Sequence, residues 1–173
     1  MALGAEGRGD HQNAERAYHV SLDFINTVDW HRSEHPQEWL GSYADLVAWS
    51  EHASVVTHHE GEHLRMIAAE RQALAAAVLE RAIIIREALY RTFLATLAQH
   101  APEEADLAVP NDAHAELVQR RRLVVHHDRL TWAWSGAEDA LDHMLWPVLQ
   151  AAVELLTSEE VQLVRMSADK RCG

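Results

Sequence analysis

Apolar residues recur with a helical period along most of the chain and with a period of two in one short stretch. Residues 1–17 carry neither pattern and read as a flexible N-terminal arm. From Val20 to Val28, Val20, Phe24 and Val28 share a helical face, whereas Val20, Leu22 and Phe24 would line a strand; the preferred reading is a short helix. Residues 29–41, with Pro36 and Gly41, read as a loop. Ser42-Tyr43-Ala44-Asp45 has the form of a capping box with Asp in place of Glu, and predicts a helix over about 43–53. Thr57-His58-His59-Glu60 repeats the form with Glu and opens a stretch rich in Ala, Leu, Glu and Arg as far as His100. On a wheel, Leu74, Val78, Ala82, Ile85, Leu89 and Phe93 fall on one broad apolar half, which predicts a long central helix bent near Gly61.

Ala101-Pro102 ends that helix, Asp106–Pro110 reads as a loop, and Asn111 is placed to cap a short helix to about Gln119. Residues 123–134 alternate on both sides of a polar centre, the pattern of a β-hairpin turning near Asp128. A last helix is predicted over about 137–157, with Leu141, Leu145, Leu149, Ala152 and Leu156 on its stripe. Pro147 is expected to kink it from the polar side. The pattern as a whole predicts a mostly α fold with one β-hairpin, a helical bundle around a long central helix.

Length and charge narrow this picture. The 173 residues suffice for one core, and 48% hydrophobic with 24% charged residues is the balance of a folded domain. The formal charge of −12 repels a phosphate backbone, so this chain by itself is a poor match for DNA. Thirteen histidines make that charge sensitive to pH below about 6. Cys172 is the only cysteine, which excludes an intrachain disulfide and suits a reducing compartment. The first ten residues lack the apolar core of a signal peptide, and no run approaches the roughly 20 apolar residues of a membrane helix. The expected location is the cytoplasm, with no membrane partner.

Three constellations are candidates for chemistry. His59-Glu60-Gly61-Glu62-His63 matches H-E-x-x-H, which sets two imidazoles on one helical face for zinc with the glutamate as general base. It supports an alternative reading as a metal-dependent hydrolase using His59 and His63, against a chance match in a histidine-rich chain. Asp29, His31 and His35 form a second possible ligand set, with solvated loop histidines the blander reading. Arg86 falls amid the apolar face of the central helix, where a guanidinium needs a carboxylate partner; Asp23 is the candidate. The pair reads either as a structural tie or, with Asn26 and Thr27, as a pocket for a small carboxylate or phosphate. The six tryptophans are expected in the core or at its rim, and Arg120-Arg121-Arg122 is expected to solvate the hairpin entry. No Gly-rich phosphate loop, Ser/His/Asp order or C-x-x-C is present, so the expectation is a non-enzyme without a cofactor of its own.

Several stretches, in order, resemble a bacterial family with an N-terminal ABATE domain and a C-terminal CGNR-type zinc finger, regarded as stress-induced transcription regulators. They are Leu22-Asp23-Phe24-Ile25-Asn26-Thr27, Ser42 to Trp49, Arg86-Glu87-Ala88-Leu89-Tyr90-Arg91, Leu145-Trp146-Pro147-Val148 and Ala152 to Ser158. The resemblance implies an ABATE-like helical domain over 18–160, with 161–173 the start of a zinc-finger-like segment cut short after Cys172-Gly173. In a longer form Cys172 would be a zinc ligand, although Ser167 stands where the family tends to place another cysteine. The resemblance implies the regulatory part of a transcription regulator that reaches DNA only through the missing C-terminal module; a small effector is the expectation from the pocket around Arg86, and an alternative reading as a plain oligomerisation domain, a homodimer, comes from the amphipathic bundle itself. Asp23, Asn26, Thr27, Arg86 and Tyr90 match its recurring motifs and are the expected lining of an interhelical pocket.

Overall fold

A computed structural model of the chain describes residues 19–29 and 37–164. Helix α1 spans residues 19–25, and a turn leads into β1 (Val28–Asp29), which pairs antiparallel with β2 (Gln37–Glu38). The segment expected to be a loop is thus flanked by a two-residue ladder, too short for any periodicity to announce. Helix α2 (Tyr43–His52) starts at Ser42, whose side chain accepts from the Asp45 N–H, as the capping pattern predicts. Helix α3 (His58–Glu70) carries a complete capping box between Thr57 and Glu60.

The expected single central helix is two. Helix α3 stops at Arg71, whose φ of −123° and ψ of 51° leave the helical region, and α4 (Gln72–Leu97) begins there. An unbroken helix from 58 to 97 would run about 60 Å, longer than a domain of this size is wide. The break lets Leu64 and Ile67 of α3 share one cluster with Ala75, Val78 and Ala82 of α4. Gly61 marks no bend. It lies buried under α2, where an added Cβ would fall 2.0 Å from Glu51 Oε1.

Two further boundaries differ from expectation. Helix α5 (Glu104–Val118) runs through the predicted loop, with Pro110 inside it and Asn111 therefore no cap. The acidic first turn of α5 complements the helix dipole, and Pro110 costs one hydrogen bond while its ring packs in the interior. Helix α6 (Leu145–Leu156) starts later than predicted, so Pro147 occupies its first turn, where no intrahelical N–H partner exists to be lost, and the reason to expect a kink falls away. Between α5 and α6 the hairpin forms as predicted, β3 (Arg121–His126) against β4 (Arg129–Trp134). Its two turn residues, His127 and Asp128, have φ of 47° and 61°, the type I′ geometry that matches strand twist. A short 3-10 turn (Glu159–Leu163) follows α6.

The fold is mostly α with a minor β component. Its core has two clusters. One gathers Phe24, Leu46, Val47, Leu64, Val78 and Met144; the other gathers Ile25, Ile85, Leu89, Phe93, Trp146 and Leu149. Helices α4 and α6 contribute to both, so the clusters meet along α4 between Ala82 and Leu89. Tyr43 joins α2 to the approach of α6 by donating to the Leu141 carbonyl at 2.8 Å. Among the described residues, no helix is long and apolar enough to cross a membrane.

Candidate functional site

The residue at the seam of the two clusters is Arg86. It is the one charged side chain among the buried, described residues, at 2% exposure. Its guanidinium meets Glu38 in a fork-to-fork pair, Nη1 to Oε1 at 2.8 Å and Nη2 to Oε2 at 2.6 Å. Nη1 also donates to Thr27 Oγ1 at 3.1 Å, and Nε donates to Glu87 Oε1 at 3.1 Å. Burial works against the charge, but the hydrogen bonds and charges of Glu38 and Glu87 outweigh it and hold the guanidinium above its ordinary range. The Glu38 carboxyl is held low, chiefly by its hydrogen bond from Arg86 and further by the Leu40 N–H at 2.8 Å.

The partner is therefore Glu38 and not Asp23, which lies exposed on α1. The ladder explains the exchange. Pairing Val28 with Glu38 sets Glu38 beside the turn that holds Thr27, and Trp39 N–H donates to the Thr27 carbonyl at 3.1 Å. Thr27 Oγ1 in turn donates to Phe24 O at 2.7 Å, which fixes the hydroxyl that Arg86 reaches.

Thr27, though buried, also borders a groove of about 470 Å³ between α1, β2 and α2. Asp23, Asn26 and Thr27 line it from α1 and its following turn, Asp45, Trp49 and His52 from α2, and the exposed Trp39 from the end of β2. Of the five predicted lining residues the groove gathers Asp23, Asn26 and Thr27. Arg86 stands behind Thr27, and Tyr90 packs one turn further along α4 against the second cluster. The groove holds two carboxylates and two indoles, and the nearest guanidinium is already saturated. That lining presents negative charge and aromatic faces, with the His52 imidazole among them. Glu38 and Trp39 escaped the sequence reading, the one because nothing local marks its pairing, the other because an indole reads as core.

Trp39 and Trp132 are exposed, against the expectation that the tryptophans fill the core or its rim, whereas Trp146 is buried. Arg120 stacks on the Trp146 ring at 4.7 Å and Arg121 on the Trp132 ring at 4.9 Å, so the basic run packs on indoles rather than only solvating the hairpin.

The H-E-x-x-H residues lie on α3 beside a separate pocket of about 300 Å³ shared with Glu138 and His143. Glu60, the would-be general base, closes the capping box, accepting from Thr57 N–H at 2.6 Å and Thr57 Oγ1 at 2.7 Å. The Thr57 backbone N–H is the chief reason its carboxyl sits low. His63 Nε2 lies 3.6 Å from Asp139 Oδ1. Among the described residues no group of three or more His, Cys, Asp or Glu is arranged to hold a metal ion. His31, His35, Ser167 and Cys172, with the Asp29 side chain, lie outside the described residues.

Fold and site together define a mostly helical domain with a charge-tied core seam under an acidic, aromatic groove. The chain belongs to the ABATE family, whose model matches residues 18–159 and carries the description "Putative stress-induced transcription regulator". No curated protein and no solved structure matches it.

Proposed function

We propose that the chain is the non-enzymatic sensor domain of a cytoplasmic transcription regulator, with a small organic cation as effector in the groove lined by Asp23, Asn26, Thr27 and Trp39. The observation that carries this reading is the double role of Thr27, which lines the groove and bonds the buried Arg86. A ligand seated against Trp39 and Thr27 moves β2, and with it Glu38, so that occupancy biases how α1 and the ladder sit on α4. Carboxylates of Asp23 and Asp45 neutralise the cation, and the indoles of Trp39 and Trp49 receive its face. DNA contact belongs to a module C-terminal to this domain, where Cys172 is a zinc ligand in a longer form.

Tryptophan fluorescence and melting temperature are to be followed during titration with tetramethylammonium and spermidine, and with acetate and phosphate as contrasting anions. The expected result is a saturable shift with a cation that Trp39→Ala weakens at least tenfold. A saturable response to the anions alone would overturn the reading.

A further inference from the structure

Opposed residues of an antiparallel pair share a face, and the β3–β4 register therefore sorts the hairpin into two unlike surfaces. One face carries Arg121 with Trp134 at the base, Leu123 with Trp132 in the middle, and Val125 with Leu130 toward the tip. Leu123, Val125, Leu130 and Trp132 are 55%, 71%, 68% and 57% exposed. The other face carries Arg122, Val124, His126, Arg129, Thr131 and Ala133 and is largely polar. The base is anchored: Ser135 N–H donates to Arg120 O at 2.7 Å, and Trp134 meets the Trp146 ring at 5.8 Å.

A two-stranded hairpin is marginal in water unless an apolar face packs on something. Apolar side chains left this open mark an interaction surface. We infer that this face is the dimer interface of the protein, covered by the same face of a second copy across a two-fold axis through the Leu123–Trp132 row.

Two observations select a second copy. The first is charge placement. The face has Arg121 at its base and ends at Asp128 in the turn, so an antiparallel pair of hairpins brings each base arginine to the partner's tip aspartate. A tips-together pair would instead set the two Arg121 side chains side by side. The second is area. The exposed parts of these four side chains amount to roughly 500 Å² per copy, hence about 1,000 Å² in all, the lower bound of a specific interface. The result is a dimer that exchanges with monomer as concentration falls. This inference is independent of the groove and its ligand.

Analytical ultracentrifugation of the full chain over a concentration series tests it. The wild type is expected to shift from monomer to dimer, Val125→Glu and Leu130→Glu to weaken the dimer at least tenfold, and Val124→Glu on the opposite face to leave it unchanged. In a Cys172→Ser background, Leu123→Cys at the axis is expected to cross-link to its own copy under mild oxidation, whereas Leu130→Cys does not. A wild type that stays monomeric, a dimer indifferent to both glutamates, or equal cross-linking at 123 and 130 would each overturn the proposal. If the glutamate variants fail to fold by circular dichroism, the wild-type series and the cysteine pair still decide it.

Discussion

Removing the guanidinium of Arg86 strands a carboxylate that was built to face it. Arg86→Ala leaves Glu38 without its fork partner and opens a gap where two apolar clusters meet; water can reach the partly exposed carboxylate, so the gap dominates and the expected cost is about 2–4 kcal/mol in urea unfolding. Arg86→Met combined with Glu38→Gln removes both charges and keeps the volume, so its loss is expected to fall short of the single Arg86→Ala. The pH dependence has a definite sign. Glu38 has an ordinary pKa of 4.5 and is held below it in the fold by Arg86, so its stabilisation is complete above that value and fades as pH falls through the lowered one. Glu38→Gln is therefore expected to flatten the acid limb of a melting-temperature profile, and an unchanged limb would show that the tie contributes nothing there. Arg86 itself was legible, because a cation at the centre of an apolar wheel has to be paired. Its partner was not, because the choice between Asp23 and Glu38 is made by a two-residue ladder that leaves no periodic trace.

At the scale of elements, caps were readable and breaks were not. Ser42 and Thr57 announce α2 and α3 through side chains that bond their own helix starts, a relation contained within four residues. Arg71 interrupts α3 and α4 without glycine or proline, for the sake of packing that involves distant residues. Gly61 misled for the opposite reason, since a glycine within a helix suggests flexibility and here supplies clearance. Glu51 crosses above it to reach Arg65 in a bidentate pair of 3.0 and 2.7 Å. Gly61→Ala gains about 1 kcal/mol of helix propensity but displaces the Glu51 carboxylate from Arg65, which offsets that gain. The single substitution is expected to be nearly neutral, whereas in a Glu51→Ala background the same change is expected to stabilise by about 1 kcal/mol. Equal effects in both backgrounds, measured by denaturant unfolding, would show that Glu51 does not restrict position 61.

Across the whole molecule, the hydroxyl of Tyr43 spans the longest sequence separation of any described side-chain hydrogen bond discussed above, from α2 to Leu141 ahead of α6. Tyr43→Phe is expected to cost about 1 kcal/mol. Burial, assisted by the charge of Asp142, raises the Tyr43 pKa above its ordinary 10, so stability is full below pH 10 and declines as the solution becomes more alkaline. Melts from pH 8 to about 11 are expected to show a shallower alkaline decline for Tyr43→Phe than for the wild type. Fold class was legible at this scale because helical periodicity survives wherever a face is buried, and the groove was not, because it forms between elements whose approach no single stretch encodes. The seam has a practical corollary for anyone shortening the chain. A fragment beginning at α2 keeps five of the helices, yet it deletes Thr27 and Glu38 together and uncovers a guanidinium with only Glu87 beside it. Residues 19–29 and 37–40 are thus part of the smallest unit that can be excised intact, and their loss would count as damage to the core rather than the trimming of a tail.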